Sequence, residues 1–124
     1  MSGLAGQHCG ACQQSTPRVG DEEKLSLHRE VPDWQLLDGA DGEHLQRVFR
    51  FADFARALDF TNRVGALAEA ENHHPMLVLE YGRVTVSWWT HSIGGLHKND
   101  FIMAAKTDAA YGEMNSPYAG TTTY

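Results

Sequence analysis

The chain changes its hydrophobic period most sharply around His73-His74-Pro75, and that change constrains the fold more than any other feature of the sequence. Phe54, Ala57, Leu58, Thr61, Val64 and Ala68 recur at three- and four-residue spacing, Phe60 and Leu67 widen the stripe, and Asp53, Arg56, Asp59 and Arg63 form the wet side. This is an amphipathic helix, with Asp53 placed to cap its start. Gly65 costs that helix about 1 kcal/mol against Ala and permits a close approach to a neighbouring element. Beyond Pro75 the period is two. Met76 to Tyr81 reads as a strand, Gly82 as a turn, and Arg83 to His91 as the returning strand. In that strand Val84, Val86 and Trp88 point one way, and Thr85, Ser87, Trp89 and His91 the other. The second face is polar and aromatic and is the weaker candidate for the core. Between the two periods lies Glu69-Ala70-Glu71-Asn72-His73-His74-Pro75. Pro75 disfavours the α region for His74, so the helix must stop near His73.

The same pattern occurs once before it. Asp21-Glu22-Glu23 opens a short helix, with carboxylates at its positive end, Leu25, Leu27 and Val31 as its apolar residues, and Pro32 as its stop. Trp34 to Leu37 reads as a strand and residues 38–42 as a turn-rich loop. Glu43 to Phe51 then alternates, with Leu45, Arg47, Phe49 and Phe51 on one parity and Arg47 the blemish in it. After the second hairpin, Ser92-Ile93-Gly94-Gly95 is a loop, and a last helix starts near His97 or Lys98 with Asp100 in its first turn. Hairpin–helix–hairpin–helix after a short N-terminal helix predicts an α+β fold, a four-stranded antiparallel sheet from two hairpins, covered by helices. The expected divisions are a flexible N-terminal segment over 1–20, one domain over 21–110 and a C-terminal tail over 111–124.

Composition narrows the classes. A chain of 124 residues with 42% hydrophobic residues can bury one core. The net charge is −6 and the basic residues form no stripe, so no direct nucleic-acid partner is expected. No apolar run approaches the roughly 18 residues of a membrane span, and the first residues lack the basic-then-apolar pattern of a signal peptide. A soluble, cytoplasmic protein is expected, with no membrane partner. Both cysteines lie in His8-Cys9-Gly10-Ala11-Cys12. A CxxC after a His suits half a zinc site or a redox pair. A structural zinc site wants four ligands, however, and only distant His28 or a second chain could complete one. Reduced thiols in a flexible segment are the simpler expectation.

The chemistry concentrates in three histidines. A hairpin returns its end to its beginning, so His91 is expected near His73 and His74. Glu69, one helical turn before His73, is placed to accept its hydrogen bond and fix its tautomer. Three uses of such a cluster stand beside the plain alternative of partly exposed, hydrogen-bonded histidines. The imidazoles can serve as general acids and bases, worth about 10²–10⁴ in rate, with neighbouring rings held in different protonation states. They can bind a metal with Glu69, although side chains at adjacent positions diverge and no HExxH pair is present. Or the sheet and helices form an interaction surface and the histidines are incidental. GxSxG, P-loop and GxGxxG patterns are absent from the sequence.

Glu69 before His73-His74-Pro75, then a hairpin, Thr90-His91, Gly95-Leu96 and Asp100-Phe101, in that order, resembles the pterin-4a-carbinolamine dehydratases. The resemblance extends from about Asp21 to Ala110. Trp88-Trp89, Gly95-Leu96-His97 and the N-terminal CxxC look most like bacterial members associated with phenylalanine hydroxylation. The sequence departs from many members in two places: Leu77 stands where they carry Trp, and His97 where they carry a Ser or Thr that forms a capping box with the Asp.

The resemblance implies dehydration of 4a-hydroxytetrahydrobiopterin to quinonoid dihydropterin, which recycles the cofactor of aromatic amino-acid hydroxylases. It implies His73, His74 and His91 as the catalytic residues, Glu69 and Asp100 as substrate-binding residues, and no metal or organic cofactor. Trp89 shares the parity of His91 and is placed either to flank a flat ring or to pack on the sheet. The implied partners are the pterin, further copies of the chain in a homodimer or homotetramer, and a functional link to phenylalanine hydroxylase. The competing expectation is a non-catalytic protein-binding or regulatory module on the same scaffold.

Overall fold

A computed structural model describes residues 3–10, 19–40 and 42–115. Helix α1 spans Asp21–His28, strands β1 and β2 span Gln35–Gly39 and Gly42–Arg50, and helix α2 spans Phe54–Glu71. Strands β3 and β4 span Met76–Glu80 and Arg83–Trp88, and helix α3 spans Lys98–Asn115. The strands form one antiparallel sheet in the order β1-β2-β4-β3. The two hairpins therefore meet along β2 and β4, with Leu45 opposite Trp88 and Phe49 opposite Val84. This is the α+β architecture expected from the alternation of periods.

The core lies between one face of this sheet and the helices. Val84, Val86 and Trp88 of β4 are completely buried, and Leu45 and Phe49 face the same layer from β2. Helix α2 contributes Ala57, Phe60, Val64 and Ala68, and α3 contributes Phe101, Ile102, Met103, Ala104 and Ala105. Arg47, the blemish in the apolar parity, does occupy the core face. Its guanidinium reaches Asp108 of α3 at 2.7 Å and lies 4.5 Å over the Phe49 ring. The same Asp108 oxygen accepts the Trp34 indole N–H at 2.8 Å. Burial pushes the Asp108 carboxyl above its ordinary value, against the opposing pull of the Trp34 and Arg47 contacts. The opposite sheet face leaves Val48, Met76 and Val78 exposed.

Several local expectations differ from the structure. The apolar residues of α1 do not form a buried face: Leu25 is exposed, and the buried Val31 lies beyond the end of the helix. Strand β4 ends at Trp88 rather than at His91. Past it, Thr90 pairs with Gly95 and His91–Ile93 makes a single 3-10 turn. Helix α3 continues through Tyr111 to Asn115, because Tyr111 packs its ring against Phe49 and Phe51 and Ala110 is buried. Residues 116–124 of the expected tail lie outside the described residues.

The N-terminal segment, in its described part, is tied to the fold. Leu4–Gly6 makes a 3-10 turn against α3, Leu4 is buried, and Lys106 donates to the Ala5 carbonyl at 3.0 Å. Val19 donates its N–H to the Leu96 carbonyl, so the chain on both sides of residues 11–18 touches the region around the last helix start.

Candidate active site

The end of α2 is set by Asn72 before Pro75 has any effect. Asn72 adopts the left-handed conformation, at φ 52° and ψ 43°. Its N–H bonds the Glu69 carbonyl and the His73 N–H bonds the Ala68 carbonyl, the paired hydrogen bonds of a Schellman motif. Asn is one of the few non-glycine residues that tolerate this backbone. The reversal turns His73 in toward α3. Its Nε2 lies 2.7 Å from Asp100 Oδ1, and its ring lies parallel to Trp88, 5.9 Å between centroids. His74, in the extended stretch before Pro75, turns outward instead and is held through Nε2 by Glu69.

The expected pairing of Glu69 with His73 is thus overturned. A continuous helix would have made that contact. The helix ends two residues short of His73, and the left-handed turn hands Glu69 to His74.

Asp100 is completely buried. Its Oδ2 accepts the Thr90 hydroxyl at 2.8 Å and the His97 backbone N–H at 2.9 Å, while Oδ1 takes His73. An ionised carboxylate can only accept, so with Asp100 ionised His73 Nε2–H is the donor. The neutral His73 ring therefore carries its lone pair on Nδ1. The capping box of α3 is complete despite the missing hydroxyl: His97 Nδ1 accepts the Asn99 N–H at 3.0 Å, and Asp100 returns the bond to His97.

His91 sits exposed on the 3-10 turn after β4. Trp89 holds it from behind, with ring centroids 4.5 Å apart, and Trp89 is itself stacked on His44 at 3.9 Å. The loop that follows is pinned by a close approach of two backbones. A Cβ on Gly42, at φ +108°, would stand 2.0 Å from the Gly94 carbonyl oxygen, so only glycine lets the first hairpin seat against the loop.

These elements enclose a cleft of about 540 Å³. It is bordered by His73 and His74 from the α2 end, by Trp89, Thr90 and His91 beyond β4, and by Cys9 and Gly10 from the N-terminal segment. The structure thus brings the three histidines to one cavity. Asp100 does not border it and reaches it only through His73. Glu69 stands outside, with its side chain 78% exposed. His73 and His74 answer to different carboxylates, one buried and one exposed. Among the described residues, no group of three His, Cys, Asp or Glu is arranged as metal ligands are, and no helix is long and apolar enough to cross a membrane. Cys12 lies outside the described residues.

Sequence reasoning missed Glu71, Asn99 and the Cys9–Gly10 wall. Glu71 accepts the Cys9 N–H at 2.7 Å and pairs with His8 Nδ1 at 2.8 Å. The Asn99 side chain accepts the Gly10 N–H at 2.9 Å and donates to the Gly10 carbonyl at 2.6 Å. No local pattern announces contacts across so much chain. The Asn72 turn did have a signal: an Asn one turn beyond Ala68, the last residue of the apolar stripe.

Comparison with known proteins supplies independent findings. Residues 17–110 match the family described as Pterin 4 alpha carbinolamine dehydratase. A Nitrosococcus oceani protein, provisionally named pterin-4-alpha-carbinolamine dehydratase, is 56% identical over 108 residues, covering 87% of this chain and 96% of the relative. A Marinobacter nauticus protein of the same provisional name is 57% identical over 111 residues, covering 90% and 100%. The fold is similar to a crystal structure of a transcriptional coactivator/pterin dehydratase from Brucella melitensis. The TM-score is 0.70 and the identity 34%, over 77% of this chain and 100% of the other.

Proposed function

The chain belongs to the pterin 4 alpha carbinolamine dehydratase family, and from that premise we propose that it dehydrates 4a-hydroxytetrahydrobiopterin by histidine acid–base catalysis. In this reaction the C4a–O bond breaks and the oxygen leaves with the electron pair, taking a proton to become water. A ring nitrogen supplies electrons to form the new C=N bond, and a ring N–H proton passes to a base. The product is quinonoid dihydropterin, and the reaction thereby regenerates a precursor of the cofactor used by aromatic amino-acid hydroxylases.

The observation that carries the reading is the meeting of His73, His74 and His91 on one cleft. Asp100 holds the His73 ring through Nε2, so that Nδ1 is the atom through which this ring exchanges a proton. Asp100 is a positioning residue in this scheme. Glu69 acts likewise, holding the His74 ring through Nε2. His91 faces the others on an exposed turn, open to substrate. Trp89 lines the cleft while packed against His44, so it offers an aromatic wall to a flat ring without giving up that stacking.

Stopped-flow dehydration of chemically generated carbinolamine, followed by ultraviolet absorbance, tests the reading. Wild-type protein accelerates the reaction over buffer, and His91→Ala removes most of the acceleration. A wild-type trace that superimposes on buffer ends the proposal.

We also place the chain in a homodimer or homotetramer. The support is the outer sheet face, where Val48, Met76 and Val78 are exposed beside the edge strand β3, an arrangement that invites pairing. A monomeric mass in multi-angle light scattering at assay concentrations rejects it.

A further inference from the structure

The cleft has one wall that none of the histidines explains. Cys9 and Gly10 border it, although they lie more than sixty residues from every other residue of the site. Two clasps hold them there. The Glu71 carboxylate, its side chain only 9% exposed, accepts the Cys9 N–H on one oxygen and pairs with the His8 ring on the other. The Asn99 carboxamide meets the Gly10 peptide at both its N–H and its C=O, and Asn99 itself is buried.

The positions of these two anchors matter. Glu71 ends α2, one residue before the turn that delivers His73. Asn99 immediately precedes Asp100, the residue that orients His73. The segment therefore bridges the two elements that place the central imidazole, directly across the mouth they frame. The Cys9 N–H and both backbone groups of Gly10 are already engaged in these clasps, so those groups serve the wall by shape and exclusion of water.

We propose that Cys9 and Gly10 form a substrate-retaining wall of the pterin site, and that Glu71 and Asn99 are the positioning residues that hold it closed. This rests on the dehydratase reading above. A wall that is closed only part of the time weakens apparent binding in proportion to the closed fraction. Loosening a clasp therefore raises KM, while the chemistry in the closed form, and with it kcat, stays as it was.

The experiment is steady-state kinetics of carbinolamine dehydration on the full-length chain, with Glu71→Ala, Glu71→Gln and Asn99→Ala, each accompanied by a thermal melt. Glu71→Ala and Asn99→Ala should raise KM about fivefold to tenfold, the scale of one or two lost hydrogen bonds, with kcat unchanged. Glu71→Gln keeps an acceptor for the Cys9 N–H and should fall between the Ala variant and wild type. It also serves as the milder substitution should Asn99→Ala fold poorly. An active wild type with unchanged KM in the Glu71 and Asn99 variants overturns the wall. So does a loss of activity that only follows the fall in Tm, the mark of a merely structural segment. Failure of the dehydratase reading is distinct, because it shows in the wild type itself as a rate equal to buffer.

Discussion

Asp100 Oδ1 stands 2.7 Å from His73 Nε2, while the other oxygen of the same carboxylate caps the helix on which Asp100 lies. Helix start and imidazole orientation therefore depend on one buried group. Asp100→Asn separates what that group does. An amide presents one acceptor and one donor where the carboxylate presents two acceptors, so it cannot satisfy the Thr90 hydroxyl, the His97 N–H and the His73 N–H together. If its NH₂ faces His73, the ring must accept at Nε2 and carry its proton on Nδ1, the reverse of the native tautomer. The expected result is a fall in kcat of about 10²–10⁴, the range assigned to a positioned acid or base. A stability cost of about 1–3 kcal/mol for the unsatisfied buried donor should accompany it. Stopped-flow rates and denaturant melts on the same preparation measure both. A variant with native kcat removes Asp100 from the mechanism.

His97 caps α3 with an imidazole nitrogen, which accepts the Asn99 N–H. His97→Ala removes that acceptor and should cost about 0.5–2 kcal/mol, the usual penalty for losing an N-cap. His97→Ser restores an acceptor and should recover most of it. Both variants keep the His97 backbone N–H that Asp100 accepts, so kcat should be native in each. Thermal melts decide the point: equal Tm values for the Ala and Ser variants contradict a capping role.

Much of this arrangement could be read from periodicity, and the remainder could not, for identifiable reasons. The change of period around Pro75 gave the helix, the hairpin after it and the meeting of His73, His74 and His91, because each follows from local geometry. The partner of His73 did not follow. Spacing proposed Glu69, but the Asn72 reversal ended the helix first and sent the ring to a carboxylate 27 residues away. Arg47 looked like a flaw in a strand until Asp108, 61 residues distant, supplied its countercharge. His8–Gly10 carry neither helical nor strand patterning. Their order comes from the Glu71 carboxylate and the Asn99 amide, and composition alone reads such a stretch as a loose tail.

Asp108 gathers the Trp34 indole N–H and the Arg47 guanidinium on one oxygen. Asp108→Ala leaves the Trp34 N–H without its acceptor and Arg47 with only Asp33, 3.7 Å away, and should destabilise the fold by about 1–3 kcal/mol. Asp108→Asn keeps an acceptor and should cost less. The pH dependence has a definite sign. Burial raises this carboxyl above its unfolded value, so its ionisation works against the fold. Its contribution is full below the ordinary aspartate range and is lost as pH rises through the raised value. Thermal melts of wild type and Asp108→Asn between about pH 7 and about pH 4 should therefore shift in favour of wild type as pH falls. A difference that does not move with pH contradicts the burial argument.

The Glu71 clasp should weaken in acid. The Cys9 N–H first, and then the His8 ring, hold the Glu71 carboxyl below its ordinary value of 4.5, with Lys106 adding a weaker attraction. A depressed folded value means that the charged clasp contributes fully above the ordinary glutamate range and is lost as pH falls through the lowered one. The clasp should hold at full strength at neutral pH and weaken only in the acid range below 4.5, while the Asn99, Lys106 and Leu4 contacts keep the segment docked. The Cys9 amide resonance, which reports the hydrogen bond directly, should titrate with a midpoint below that ordinary value in wild type. In Glu71→Gln the same resonance should show no such transition. A midpoint at or above the ordinary value, or an unchanged titration in the Gln variant, contradicts the clasp as drawn.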